Sequence, residues 1–361
     1  MKKDLDRRGF LGRAAGVGGA LLAAGQASPV FGAVADAAVD PMQPTVARIG
    51  VQLYSVGDQL RAGVDQMLEN VARIGYKVVE FAGYGDRSPE QIRATLDRLG
   101  MTSPSTHIGL PALRSDFEGQ VHIAQALGHK YITVPSLGQD NPANTVDGWK
   151  RVADEFNQIG GKLKSRGIGL GFHSHRDEFA SVGNGKTGMD VFISETDPSL
   201  VTFELDLGWA IVAGQNPVEW FRKYPGRVKM WHVKDILGLQ AAQEAQNARF
   251  RSPPAPPAAP PAGGAQGAQG AQGAQGARPA GQGGQGGQAA GGAAAARPTP
   301  AVTGGPVPVG AGEINFKPIF DAWRQSGLEY FFVEQDGAAN WPGGSLSAIA
   351  TSYRNLVNLL T

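Results

Sequence analysis

The chain has 361 residues, a net charge of +1 and no cysteine. The balanced charge offers no basic excess for holding nucleic acid, and the missing thiols exclude disulfides and thiolate metal sites, leaving carboxylate oxygen and imidazole as the strong ligands. Two stretches of biased composition aside, roughly 250 residues remain, the usual size of an eightfold α/β barrel.

In chain order, Lys2, Lys3, Arg7 and Arg8 precede Gly9-Phe10-Leu11 and a small-residue apolar run from Ala14 to Ala24. This resembles the twin-arginine export signal. Residues 1–37 are therefore read as signal and leader, with small-residue cleavage after Ala27, Ala33 or Ala37. The run is too short and too rich in Gly and Ala to anchor well in a bilayer. The resemblance implies a periplasmic protein, exported by the twin-arginine machinery already folded and with its metal taken up in the cytoplasm.

The barrel is expected over residues 46–361. Gly50 to Tyr54 reads as a first strand, followed by a helix over about residues 60–73 with Leu60, Val64, Met67, Leu68 and Val71 on one face. Lys77–Phe81 reads as strand two. Ser88-Pro89-Glu90 then opens a helix, with serine as cap and proline in the first turn. Further strands are expected at Thr102–Ile108, Tyr131–Val134, Ile168–His173, Val201–Asp206, Val228–Val233 and Tyr330–Glu334, with helical patterns between nearly all of them. Strand alternating with helix eight times predicts a (β/α)8 TIM barrel. An open doubly wound sheet would gather its ligands at one switch point, whereas here polar residues close strand after strand.

Residues 237–311 break this rhythm. Pro253-Pro254-Ala255-Pro256-Pro257 is followed by four Gly-Ala-Gln triplets from Gly264 to Gln275 and more Gly, Gln and Ala. Such a stretch buries too little apolar surface to offset the entropy of ordering. It is read as a disordered insertion after strand seven. The triplet register is too brief, and its prolines too irregular, for collagen.

Several apolar runs end in chemistry. Phe203-Glu204-Leu205-Asp206-Leu207-Gly208-Trp209 carries Asp206, Lys229-Met230-Trp231-His232-Val233-Lys234-Asp235 carries His232, and Tyr330-Phe331-Phe332-Val333-Glu334 carries Glu334. Any one alone reads as an ordinary cap or hydrogen-bonded residue. Together, at the C-terminal ends of parallel strands that converge on one face, they point to a divalent metal site. Oxygen and imidazole suit Mn, Mg, Co, Fe or Zn.

The pieces Phe203–Trp209, Trp231–Asp235 and Phe332–Asp336 resemble the sugar phosphate isomerase/epimerase superfamily with the xylose isomerase-like barrel. The similarity covers about residues 46–236 and 312–361. It implies one divalent metal held by a residue of strand five, Asp206, His232 and Glu334. Strand five departs from the common glutamate: Phe172-His173-Ser174-His175 resembles the Tyr-His-Asn-His variant of a subset of the family. Alternation puts His173 and His175 on one face, and His173 is the first choice for the fourth ligand. Losing that carboxylate puts a two-carboxylate epimerase scheme in doubt.

Around this core, Glu80 resembles a frequent acidic position of the family, and His107, Trp209 and Glu178 are candidate substrate contacts. Glu178 is also a candidate to orient a histidine. Each has a structural alternative as a hydrogen-bonded, packed or solvated residue. Lys234 points the same way as His232, either to stabilise developing charge or to form a rim salt bridge. His122 and His129 receive no role. The expected activity is isomerisation or epimerisation of an unphosphorylated sugar or keto-sugar, by proton abstraction next to a metal-polarised carbonyl. Glu334 is the expected base, with Lys234 or His175 as partner. A lyase or dehydratase acting on a keto-sugar or keto-glycoside is the alternative from the same site. A non-catalytic sugar-binding protein and an endonuclease fit less well.

Overall fold

The computed structural model describes residues 42–138, 142, 144–251 and 304–361. The leader at 1–37 and residues 252–303 of the biased stretch lie outside them. Eight strands, β1 (Ile49–Gln52), β2 (Val78–Phe81), β3 (Thr102–His107), β4 (Tyr131–Val134), β5 (Gly169–Ser174), β6 (Val201–Asp206), β7 (Val228–Val233) and β8 (Tyr330–Val333), form a closed barrel. Every pairing is parallel and sequential, and β8 returns to β1 with Phe332 opposite Gly50.

Helices α1 (Val64–Ile74), α2 (Pro89–Leu99), α3 (Leu110–Ser115), α4 (Phe117–Leu127), α5 (Val146–Lys164), α6 (Gly188–Glu195), α7 (Leu207–Val212), α8 (Pro217–Lys223), α9 (Leu239–Arg251), α10 (Lys317–Asp321), α11 (Trp323–Ser326) and α12 (Gly344–Leu360) connect and cover them. The expected cap at Ser88 forms a reciprocal capping box with Gln91. The helix expected from residue 60 is instead a 3-10 stretch, Leu53–Ala62, that ends at Gly63 before α1 begins. Gly63 has φ 93°, a conformation that glycine adopts without the Cβ penalty.

Strand alternation divides the residues between two environments. Outward, Phe172 meets Phe156 of α5 and Phe192 of α6 edge-to-face, and Trp231 stacks on Phe221 of α8 at 5.0 Å. Inward, Tyr131, Met230 and Phe332 form a separate apolar cluster with Val78 and Tyr330. This is the floor of the barrel. Glycine makes room for it: a Cβ on Gly50 would stand 2.6 Å from Phe332 Cδ1, and one on Gly171 would stand 3.0 Å from Met230 Cε. Polar residues of the same strands lie above the floor, toward the C-terminal face.

The expected bounds of the insertion were too wide. Asp235–Leu237 pairs antiparallel with Gly305–Val307, and Leu239–Arg251 is helical. The Asp235 carboxylate anchors the returning chain by accepting from the backbone N–H groups of Gly310, Gly312 and Ile314, as well as Ile236. Helix α9 is secured largely by polar contacts. Gln243 donates to the Ile211 carbonyl at 2.9 Å, Gln246 is buried, and Arg249 pairs with Asp177 at 2.8 Å.

Candidate metal centre

Four buried side chains meet at the C-terminal end of the barrel. His173 comes from β5, Asp206 closes β6, His232 comes from β7 and Glu334 follows β8. One ligating atom from each lies within 4.8 Å of those of the other three. These are the four residues named from sequence for the metal.

Local structure holds each in place. Asp206 caps α7, its Oδ1 accepting from Trp209 N at 2.8 Å, while the buried Oδ2 has no well-directed hydrogen bond. His232 Nδ1 lies 2.9 Å from Glu334 Oε2, and its Nε2 lies 2.7 Å from Glu80 Oε2 and 3.1 Å from Glu204 Oε2. A proton on Nε2 leaves Nδ1 as the ligating nitrogen. His173 Nδ1 is 3.0 Å from Glu204 Oε2, which leaves Nε2 to ligate. Carboxylates thus fix both imidazoles from behind, as ligand histidines require.

The charge balance also fits a dication. Glu80, Glu204, Asp206 and Glu334 bring four buried carboxyls to one region, facing the Lys234 ammonium and the His232 ring. Burial would depress the His232 imidazolium, but the Glu204 and Glu334 carboxylates hold its pKa well above the ordinary value. Its proton supplies positive charge in the region where an ion would bring more. Burial, aided by His232, keeps the His173 pKa well below the usual range, favouring the neutral ligand form. Burial pushes Asp206 up to about 6 against the pull of Lys234. Burial also opposes charge on Glu334, but Lys234 and His232 hold its carboxyl well below the usual range, so it is ionised at neutral pH. The donor types and the four gathered carboxyls suit a divalent ion.

The remaining sequence candidates divide between mouth and interior. Lys234 is fully buried, with Nζ 2.9 Å from Asp206 Oδ2, 2.9 Å from Glu334 Oε2 and 2.7 Å from Asp336 Oδ2. Gly208 lets α7 approach it, since a Cβ there would stand 2.6 Å from the Lys234 carbonyl oxygen. Trp209 is half-buried, with Lys234 Nζ 4.9 Å from its ring centroid. His175 is half-buried and outside the four-donor group, its ring 4.7 Å from that of His173. Glu178 accepts from His175 N at 2.9 Å, so it orients the backbone of that residue; burial pushes its carboxyl up to about 7.

Glu80 and His107, expected as substrate contacts, are found in the hydrogen-bonded setting that was their structural alternative. Glu80 is fully buried beneath His232 and accepts from Gln52 Nε2 at 2.8 Å. His107 Nε2 lies 2.8 Å from Glu204 Oε2 and 3.3 Å from Glu80 Oε2. Both support the ligand shell from below. Sequence reading also passed over Glu204, the carboxylate shared by His107, His173 and His232. Its place two residues before Asp206 was the available signal, because alternation turns both inward. His122 is an exposed helical residue near Glu90, and His129 is buried against Ser103.

This barrel with a His-Asp-His-Glu donor set defines a class, and comparison with known proteins gives the family. Residues 68–351 match the family described as the xylose isomerase-like TIM barrel, and the chain belongs to it. It is similar to the inosose dehydratase of Lacticaseibacillus casei, 29% identical over 125 residues, covering 35% of this chain and 39% of that protein. The match thus spans well under half the length of that curated relative. Among solved structures, a sugar phosphate isomerase/epimerase from Parabacteroides distasonis superposes with a TM-score of 0.62 at 22% identity, covering 92% of this chain and all of that one. The IolI protein, crystallised with a bound zinc atom, superposes with a TM-score of 0.56 at 13% identity, covering 87% of this chain and 98% of that one.

Proposed function

We propose that this protein is a divalent-metal-dependent lyase that removes water, or another β-leaving group, from a keto-sugar or keto-polyol. His173, Asp206, His232 and Glu334 hold the metal. When bound, the ion supplies Lewis-acid polarisation of the substrate carbonyl. Glu334, ionised at neutral pH, takes the proton from the carbon beside that carbonyl. Lys234 holds an ammonium charge next to this carboxylate, ready to stabilise developing negative charge. As the carbon–carbon double bond forms, the electron pair of the C–O bond leaves with the oxygen. The protonated Glu334 hands its proton to that oxygen, releasing water or an alcohol.

The observation that carries elimination over epimerisation is the occupant of β5. His173 stands where a second catalytic carboxylate would be needed for a two-base scheme. Asp206, whose Oδ1 caps α7, is assigned to the metal in this reading and not to a second base. One carboxyl that accepts and returns the same proton suffices for elimination. The partial similarity to an inosose dehydratase supports the same reading. Expected in the test is metal-dependent loss of water from a keto-inositol or of alcohol from a keto-glycoside, followed by NMR in deuterated buffer. A deuterated but rearranged sugar, with nothing eliminated, would establish the isomerase or epimerase instead. Absence of both exchange and product across the panel would leave a binding protein.

Export by the twin-arginine route, with periplasmic residence, is proposed on Arg7 and Arg8. Replacing both with Lys is expected to retain the protein in the cytoplasmic fraction. Unchanged periplasmic recovery would rule that route out.

A further inference from the structure

We propose that the substrate carries a carboxylate group, received by Arg176 at the barrel mouth; this rests on reading the mouth as a sugar site. Arg176 follows β5 directly and is half-buried. Its guanidinium lies 4.9 Å from the centroid of the Trp209 ring, and Lys234 Nζ lies 4.9 Å from the same centroid. The two cations are therefore no further apart than twice that distance, a span within the reach of one hexose-sized molecule. Lys234 already belongs to the metal centre through Asp206 and Glu334. Arg176 is thus linked to the metal centre through the Trp209 ring that it shares with Lys234.

What distinguishes Arg176 is its lack of an acidic partner among the described residues. The neighbouring carboxylates are engaged elsewhere. Asp177 takes Arg249 at 2.8 Å, Glu178 takes the His175 backbone N–H at 2.9 Å, and Asp336 takes Lys234 at 2.7 Å. The charge of Lys234 is shared among three carboxylates, whereas that of Arg176 meets only an aromatic face. Contact with the indole face holds the guanidinium while leaving N–H groups available, and these match a carboxylate in bidentate geometry. A single unpaired guanidinium suits a monoanionic carboxylate. A phosphate ester would call for a second unpaired cation beside it.

The test is equilibrium binding to the manganese-loaded, full-length protein, followed by tryptophan fluorescence. The probes are 5-keto-D-gluconate, D-fructose as its neutral counterpart, and D-fructose 6-phosphate. The keto-acid is expected to bind at least ~10-fold more tightly than fructose, a difference of about 1.4 kcal/mol. In Arg176→Gln that ratio should fall to near one while metal content is retained, and in Arg176→Lys it should be partly kept. Equal affinity for keto-acid and fructose in the wild type, an undiminished ratio in Arg176→Gln, or tighter binding of the phosphate ester would each overturn the proposal. Binding requires no turnover. A preference that Arg176→Gln abolishes would therefore uphold this inference even if no probe reacted, while the lyase reading failed separately.

Discussion

Glu204 Oε2 lies 3.0 Å from His173 Nδ1, so a carboxylate buried inside the barrel sets which nitrogen of that histidine is left to ligate. The same oxygen also serves His107 and His232. Replacing Glu204 with Gln preserves shape but removes the charge that holds these rings. We expect divalent-metal affinity to fall about 10–100-fold. Competition with a fluorescent chelator measures it, and unchanged affinity would deny Glu204 its orienting role.

Metal binding should register as stability. At a hundred times its dissociation constant, an ion that binds only the folded state adds about 2.7 kcal/mol. Thermal melts of wild-type protein with manganese and with excess chelator should therefore separate. Asp206→Ala should show no such separation. A metal-induced shift preserved in that variant would remove Asp206 from the ligand set.

Lys234 is argued to stabilise developing charge. Lys234→Met keeps much of the buried aliphatic volume and removes the ammonium. Turnover is expected to drop by about 10²–10³-fold, the scale seen when a preorganised electrostatic donor is lost, while metal content stays close to stoichiometric. Loss of metal in step with activity would show Lys234 to be structural.

The barrel floor gives a test independent of chemistry. A methyl at Gly50 would meet Phe332 Cδ1 at 2.6 Å and the Phe331 carbonyl at 2.8 Å. Gly50→Ala should cost ~1–3 kcal/mol through overpacking. Urea unfolding measures this, and an undisturbed midpoint would mean that the floor yields freely.

His129 makes stability depend on pH. Burial pushes its pKa down to about 4, with Arg93 acting in the same direction, and Nδ1 lies 2.7 Å from the Ser103 carbonyl. Between the unfolded value near 6.5 and the folded value, the unfolded chain binds a proton that the folded chain refuses. This contribution is complete above the unfolded value and is lost as pH falls toward the folded one. From pH 7 to 5 it amounts to about 2 kcal/mol. Urea titrations at both values should show a smaller decline in His129→Asn than in wild type; equal declines would refute the assignment.

The eight strands were legible because each is a short apolar run followed by polar residues and a helical pattern. Asp206, His232 and Glu334 were legible as candidates because each lies at or near the end of such a run. Glu204 was harder to see, since a carboxylate within the run Phe203–Leu205 looks like part of the outline rather than a second inward side chain. Arg176 escaped for another reason. Its significance lies in what its neighbours are bonded to, which only coordinates reveal. Helix α9 was missed because Gln243, Gln246 and Arg249 secure it through polar contacts, and hydrophobic periodicity does not report such docking. The 3-10 stretch before α1 was hidden by apolar spacing that continues through Gly63.

Asp235 joins positions that are nearly eighty residues apart in sequence yet adjacent in space, from Ile236 to Ile314. It works like a buckle: the two ends of the excursion are fastened beside Lys234, whatever the length of the strap between them. Evolution is thereby free to lengthen or rewrite that strap without realigning Lys234.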